Sequence, residues 1–245
     1  ASASMFLMGA LLFSATKEND AEAIFCNFTL GKVELINKSF TGASAISKLD
    51  INANLPKDSL VCTGVKSLCE LSVNNSILIR SGSESIIDSV DQNLLKVLSG
   101  SFLVCIEKET EFSIQSKKSV LKTKGKYTAI IECTSNGGFK FVPLEGKGEI
   151  IPEEGNSKEI YRGRLIMIVD SPSKLGNAYD IDLLLLLKSS RLINSFPTPL
   201  PSMKRISLSI YAQQLRLKGK FNALIGDAPT DDNLQMWAFG EEETK

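Results

Sequence analysis

Leu68-Cys69-Glu70-Leu71-Ser72-Val73-Asn74-Asn75-Ser76-Ile77-Leu78-Ile79 decides the fold class. Glu70 and Ser72 alternate with Cys69, Leu71 and Val73. That period of two puts every second side chain of a strand on one face. Asn74-Asn75 follows, and asparagine tolerates the positive φ that a tight hairpin demands. A second apolar run, Ile77-Leu78-Ile79, then leads into Ser81-Gly82-Ser83. This short stretch therefore spells strand, turn, strand.

The same grammar holds over residues 28–151. Upstream, Phe28, Leu30, Val33 and Leu35 flank Gly31, and Leu60-Val61-Cys62 runs into Thr63-Gly64. Downstream, Ile86-Ile87 is followed by residues 94–98 ending at Ser99-Gly100, and then by residues 102–106. Phe112 and Ile114 alternate with polar residues. Residues 127–133 end at Ser135-Asn136-Gly137-Gly138, and Phe139, Phe141 and Leu144 end at Glu145-Gly146. Many short strands at this spacing predict a mainly β fold, a sandwich, barrel or solenoid. Lys117, Lys118, Lys122, Lys124 and Lys126 alternate with Val120, Thr123 and Tyr127, which reads as the wet face of a strand.

The ordered signals from Gly31 to Ile150 resemble the FecR domain. The opening Gly31-Lys32-Val33-Glu34-Leu35 is similar to its first strand. Leu55-Pro56-Lys57-Asp58-Ser59-Leu60-Val61-Cys62-Thr63-Gly64, with Ser67, is similar to its leucine-led turn. Leu71-Ser72-Val73-Asn74-Asn75 and Ser81-Gly82-Ser83 follow in the family's order. So do Leu95-Lys96-Val97-Leu98-Ser99-Gly100-Ser101-Phe102, Phe112-Ser113-Ile114-Gln115-Ser116 and Val142-Pro143-Leu144-Glu145-Gly146. The departure lies at Thr123-Lys124-Gly125-Lys126-Tyr127, where the family often has Gly-Thr. The resemblance covers about half the chain. It implies a FecR-like β-solenoid or sandwich without catalytic residues, in a periplasmic or secreted protein. The sigma-factor regulation of the founding member is not carried over, because its helical cytoplasmic region and membrane span have no counterpart here.

Beyond this region the sequence reads differently. Residues 152–159 have linker composition, and residues 165–169 form a continuous apolar run of strand length. Arg162-Gly163-Arg164 suits the edge of a solvated strand better than an anion site. Residues 180–192 read as a helix that Asp180 or Asp182 starts. Its apolar residues 183–187 demand burial on most sides. Pro197, Pro199 and Pro201 make a stiff connector. Residues 203–217 alternate like a strand at Ile206, Leu208 and Ile210, yet read as a helix that Gly219 would cap. The expected division is an apolar arm or signal-derived segment at 1–27, a FecR-like β domain at 28–151, a linker at 152–159, and a C-terminal strand plus helices and a docking tail at 160–245.

Both ends are apolar. Residues 5–13 read MFLMGALLF, too short to span a bilayer as a helix. They suit either a secretion signal, with Ala21-Glu22-Ala23 as its cleavage site, or an ordered arm that needs a surface to cover it. The arm reading is favoured. Met236, Trp237 and Phe239 form a second such cluster. Met5, Phe6, Leu7, Met8, Leu11, Leu12 and Phe13, together with Met236, Trp237 and Phe239, are therefore the expected interaction residues.

Composition narrows the function. Hydrophobic residues make up 43% and charged residues 23%, enough to bury a core. The 28 basic and 28 acidic residues balance, which argues against nucleic acid or anionic lipid as a partner. There is no histidine, so imidazole-based triads and zinc sites are excluded. The cysteines Cys26, Cys62, Cys69, Cys105 and Cys133 form no CxxC and read as buried thiols. The paired carboxylates Glu153-Glu154, Asp231-Asp232 and 241–243 lie in turn or tail composition, which reads as solvated charge. No cofactor or metal is expected, nor a catalytic residue. The expectation is a non-catalytic subunit of an exported assembly, homo- or hetero-oligomeric; the alternative is a periplasmic sensory or ligand-binding module.

Overall fold

The computed structural model describes residues 24–38, 45–56, 59–227 and 234–238, with backbone course alone for 223–227 and 234–238. Eight short strands come first: Ile24–Leu30 (β1), Val33–Asn37 (β2), Ala45–Lys48 (β3), Ser59–Thr63 (β4), Leu68–Val73 (β5), Ile77–Ser81 (β6), Ile86–Val90 (β7) and Leu94–Ser99 (β8). Three long ones follow, Ser101–Gln115 (β9), Val120–Cys133 (β10) and Phe139–Pro152 (β11). Then come Lys158–Glu159 (β12), Arg164–Val169 (β13) and Lys174–Asp180 (β14). The helices are Leu183–Ser189 (α1), Arg191–Asn194 (α2) and Met203–Leu217 (α3), and a separate hairpin pairs Ala223–Asp227 (β15) with Leu234–Ala238 (β16). The result is a mainly β domain, antiparallel except where β8 runs parallel to β9, with a small helical region. The sequence expectation holds at that level. The β5–β6 hairpin turns through Asn74 and Asn75, both at positive φ.

One 14-stranded sheet holds β1 to β14, and its three long strands serve two neighbourhoods. The first half of β9 pairs with β6, which leads on to β5 and β1. The last residues of β9 pair with β8, which leads on to β7, β4, β2 and β3. Between the two halves β10 and β11 pass through Gly125 and Gly148, which face each other in register. Their φ values of 146° and 140° are closed to side chains, and a Cβ on Gly148 would sit 2.0 Å from the Lys124 carbonyl oxygen. The sequence reading ended a strand at Glu145-Gly146; instead β11 continues to Pro152, and the glycines let it change course. Inward side chains from both halves share one core, including Val33, Val61, Ile87, Leu95 and Phe112 from one half and Cys69, Leu71, Phe102 and Phe141 from the other.

The burial pattern of the long strands changes at the same level. Beyond it, Lys122 and Lys124 on β10 face water, as the alternation predicted. On the other side both faces of the strands are buried, because a helical layer covers Leu103, Cys105, Ile130, Val142 and Leu144. Helix α3 supplies Ile206, Ser209, Ile210 and Gln213 to that layer, spaced i, i+3, i+4, i+7. Leu208 therefore points outward, which settles the strand-or-helix ambiguity. Gln213 fixes α3 by accepting from the Leu183 amide and donating to the Gly163 and Ile181 carbonyls.

The helix expected over residues 180–192 is two. Ser190, with φ −72° and ψ 121°, breaks it between α1 and α2. Asp182 caps α1 through the Leu184 and Leu185 amides, while Asp180 lies on β14 and holds arginines instead. Burial of α1 is one-sided, on Leu183 and Leu186, and Leu185 is 38% exposed. The proline connector packs rather than spans: Phe196 and Leu200 are buried, and Arg80 from β6 donates to the Leu192, Ile193 and Thr198 carbonyls.

Candidate functional site

The expected interaction residues divide between two fates. Met5, Phe6, Leu7, Met8, Leu11, Leu12, Phe13 and Phe239 lie outside the described residues. Met236 and Trp237 sit on β16, opposite Ile225 and Leu224 in the separate hairpin. Among the described residues no helix is long and apolar enough to cross a membrane. The acidic pair Glu153-Glu154 is engaged locally: Glu153 accepts from the Ser173 amide and Glu154 meets Lys174 at 3.3 Å.

The residues that do converge lie where the helical layer meets the long strands. Arg205, in the first turn and a half of α3, donates to both carboxylates that flank β10: its Nε reaches Glu145 Oε2 at 2.9 Å, and its Nη2 bonds Glu107 Oε1. Lys126 Nζ approaches Glu107 Oε2 at 3.3 Å. The Arg205 hydrogen bond holds Glu107 below the usual carboxylate range, against the opposing effect of burial, and the two carboxylates hold the guanidinium proton more tightly still. Beneath them, Thr128 Oγ1 lies 2.7 Å from both Glu145 Oε1 and Ser202 Oγ, and 3.3 Å from Cys105 Sγ. With one proton to give, Thr128 bonds the carboxylate best, since a charged acceptor makes the stronger bond.

This network is poor ground for nucleophilic chemistry. Burial pushes the Cys105 thiol up, only partly offset by Thr128 and Ser202, and the Glu107 charge pushes it further. A protonated thiol is not the attacking species. Cys133 is likewise pushed up to about 12, by burial first and the Glu132 charge second. The arrangement anchors α3 to the sheet.

Around that anchor are two adjoining cavities. One, of 340 Å³, is lined by Lys126, Glu145, Lys147, Arg162, Arg205 and Leu208. The other, of 230 Å³, is lined by Glu159, Tyr161, Arg162, Gln213 and Arg216. Gly146 and Arg162 belong to both. Arg164 and Arg216 each lie within 5.0 Å of the Tyr161 ring centre and share the one carboxylate of Asp180. Lys147 and Arg162, both exposed, meet no carboxylate among the described residues. Of the Arg162-Gly163-Arg164 stretch, one arginine is thus committed to an ion pair and the other faces a groove. Gly163 has φ 73°, and a Cβ there would lie 2.0 Å from Gln213 Nε2, so a larger residue would displace the amide that fixes α3.

Alongside the groove, the outer face of α3 carries Leu208, Tyr211 and Leu215, which are 68%, 62% and 61% exposed. Their i, i+3, i+7 spacing makes one stripe. Sequence reasoning did not single out this stripe, nor Glu107, Glu145 or Arg205. The stripe had a signal, since Ile206, Ile210 and Gln213 at helical spacing leave these three on the opposite face.

No family model, curated protein or solved structure matches this chain.

Proposed function

We propose that this chain is a non-catalytic structural or interaction subunit of a bacterial envelope or extracellular assembly, and that α3 presents part of its contact surface. The observation that carries the reading is the stripe of Leu208, Tyr211 and Leu215, three large apolar side chains exposed together on one helix face. A solvated helix puts polar groups there, and a continuous apolar patch marks a protein contact. The apolar residues 5–13 and the Met236, Trp237 and Phe239 cluster support it, since each needs a surface to cover it. FecR-like β domains of exported proteins, which this sequence resembles, suit such a role.

Light scattering after size exclusion tests the proposal. The full chain is expected to form a dimer or larger complex, and Leu208→Ser with Tyr211→Ser and Leu215→Ser is expected to dissociate it without loss of helical signal. Removal of residues 1–23 tests the arm in the same way. A monodisperse monomer at every concentration, unchanged by either alteration, sinks the homo-oligomeric form of the idea. That result would favour the second reading, a FecR-like sensory or ligand-binding module, for which the cation-lined groove is the supporting feature.

A further inference from the structure

Lys126 on β10 and Lys147 on β11 stand directly opposite each other in register. Like charges so placed repel, with Cβ atoms about 5 Å apart. Both lysines line the 340 Å³ cavity beside α3, and so does Arg162. The loop that carries Arg162 is fixed against β11 at both ends, by the Ile160 amide on the Gly148 carbonyl and the Gly163 amide on the Pro143 carbonyl, each at 2.8 Å. Three cations from two strands and a loop are thus brought to one cavity by the backbone.

The carboxylates nearby do not cancel them. Glu107 meets Lys126 at 3.3 Å but accepts from Arg205 as well, and Glu145 is taken up by Arg205 and Thr128. Arg205, the fourth cation of the lining, therefore draws on both carboxylates. Among the described residues Lys147 and Arg162 meet no carboxylate, and Glu159 lines the adjoining smaller cavity instead. Two positive charges are left over. On the α3 side the lining offers Leu208, 68% exposed.

The spacing decides the ligand class. Cations at directly opposed positions pull toward one point, so a ligand that fits carries both charges on one head rather than on separated carboxylates. A phosphate monoester does so near neutral pH, its second pKa being about 6. Its oxygens accept from ammonium and guanidinium groups together, and Leu208 meets the group esterified to it. We propose that the cavity between α3 and β11 binds a phosphomonoester with a small apolar body, held by Lys126, Lys147 and Arg162. The inference rests on the second, ligand-binding reading and supplies its ligand class. It stands apart from the subunit reading, because none of these cations belongs to the stripe of Leu208, Tyr211 and Leu215.

Isothermal titration of the full chain with phenyl phosphate tests it. One site per chain is expected, with inorganic phosphate roughly tenfold weaker, the worth of about 50 Å² of ring taken from water. Succinate, with its charges apart, is expected to bind more weakly than either. Lys147→Gln and Arg162→Gln are each expected to weaken phenyl phosphate at least about fivefold, with unchanged melting temperatures. Lys122→Gln, on the same strand as Lys126 but outside the cavity, is expected to change nothing. Leu208→Ser is expected to remove the advantage of the ring and leave inorganic phosphate untouched. Cosedimentation with phosphatidic acid vesicles, lost in Arg162→Gln, would assign the phosphate to a lipid head; its absence beside phenyl phosphate binding would assign it to a free ester. No saturable binding, an equal loss in Lys122→Gln, or full affinity when Lys147→Gln and Arg162→Gln are combined would overturn the proposal. Light scattering keeps the ideas apart. A monomer that binds phenyl phosphate upholds the site and sinks only the subunit reading, while a monomer that binds no probe overturns the proposal and leaves the module reading standing.

Discussion

Arg80→Met is the substitution for which the structure forecasts the largest loss. Arg80 is fully buried at the meeting of β6, β5 and the proline connector. Its Nε donates to Glu70 Oε2 at 2.8 Å, its Nη1 to the Leu192 and Ile193 carbonyls and its Nη2 to the Thr198 carbonyl, while the guanidinium lies 4.3 Å from the centre of the Phe196 ring. Burial works to release its proton and Glu70 works to keep it. Methionine fills similar space but donates nothing. It leaves the Glu70 carboxylate, only 7% exposed, with the Asn27 amide as its remaining side-chain donor, and frees three carbonyls. Breaking a buried pair from one side costs about 3–5 kcal/mol. In a chain of this size that is a fall of about 10 °C in melting temperature. Arg80→Lys keeps a charge but lacks the fork that reaches all three carbonyls, so it falls between. Adding Glu70→Gln to Arg80→Met is expected to recover part of the loss, because the stranded charge is gone. Urea unfolding followed by circular dichroism measures the cost, and hydrogen exchange locates it at residues 190–202. A loss below about 1 kcal/mol, or unchanged exchange in that connector, would refute the assignment of Arg80 as the tie between sheet and helical layer.

Other expectations concern the bend, the carboxylates and the thiols. Gly148→Ala puts a Cβ 2.0 Å from the Lys124 carbonyl at φ 140°, and the strained backbone alone costs about 1–3 kcal/mol; a thermal melt no lower than that of the parent protein would contradict the glycine hinge. Glu107 is held below its ordinary range by Arg205; burial pushes Asp88 and Asp180 up, but Lys38 and Lys96 for one, and Arg216 and Arg164 for the other, outweigh it. A depressed folded pKa gives stability that is fully present above the unfolded value and lost as pH falls through the folded one. The melting temperature is therefore expected to stay level from pH 7 to about 5 and to drop below about 4. A fall already complete at pH 5 would exclude these carboxylates as the cause. Cys133, at about 12, is expected to react with iodoacetamide at pH 8 roughly a thousandfold more slowly than free cysteine. Labelling within minutes would mean that its surroundings open.

The β architecture was legible because alternation and turn chemistry are local. Asn74-Asn75 needed no partner to announce a hairpin, and Lys122 and Lys124 needed none to mark a wet face. What stayed hidden depends on contacts far apart in sequence. Gly146 and Gly148 read as a strand end, since nothing local says that Gly125 lies opposite and that both strands bend together. Ser190 is an ordinary residue by composition, and nothing local marks it as the fully buried, extended residue that separates α1 from α2. Arg80 and Glu70 sit on neighbouring strands inside runs that read as plain β, so the buried pair became visible only once register was known.

The candidate site follows the same logic with a sharper asymmetry. Arg205, Glu107 and Glu145 come from three elements and meet where the helical layer ends, which no spacing rule foretells. Yet the exposed stripe on α3 was implicit once residues 203–217 were read as helical, because the face opposite Ile206, Ile210 and Gln213 has to be Leu208, Tyr211 and Leu215. The two features have different physical origins. The charged cluster is fully used in fastening α3 to the sheet, so altering it changes stability before it changes binding. The stripe fastens nothing, so altering it leaves stability nearly untouched, within about 0.5 kcal/mol for surface positions, and reports on association alone. Comparing the two classes of substitution therefore separates a folding defect from a contact defect, which a test on the apolar ends could not do by itself.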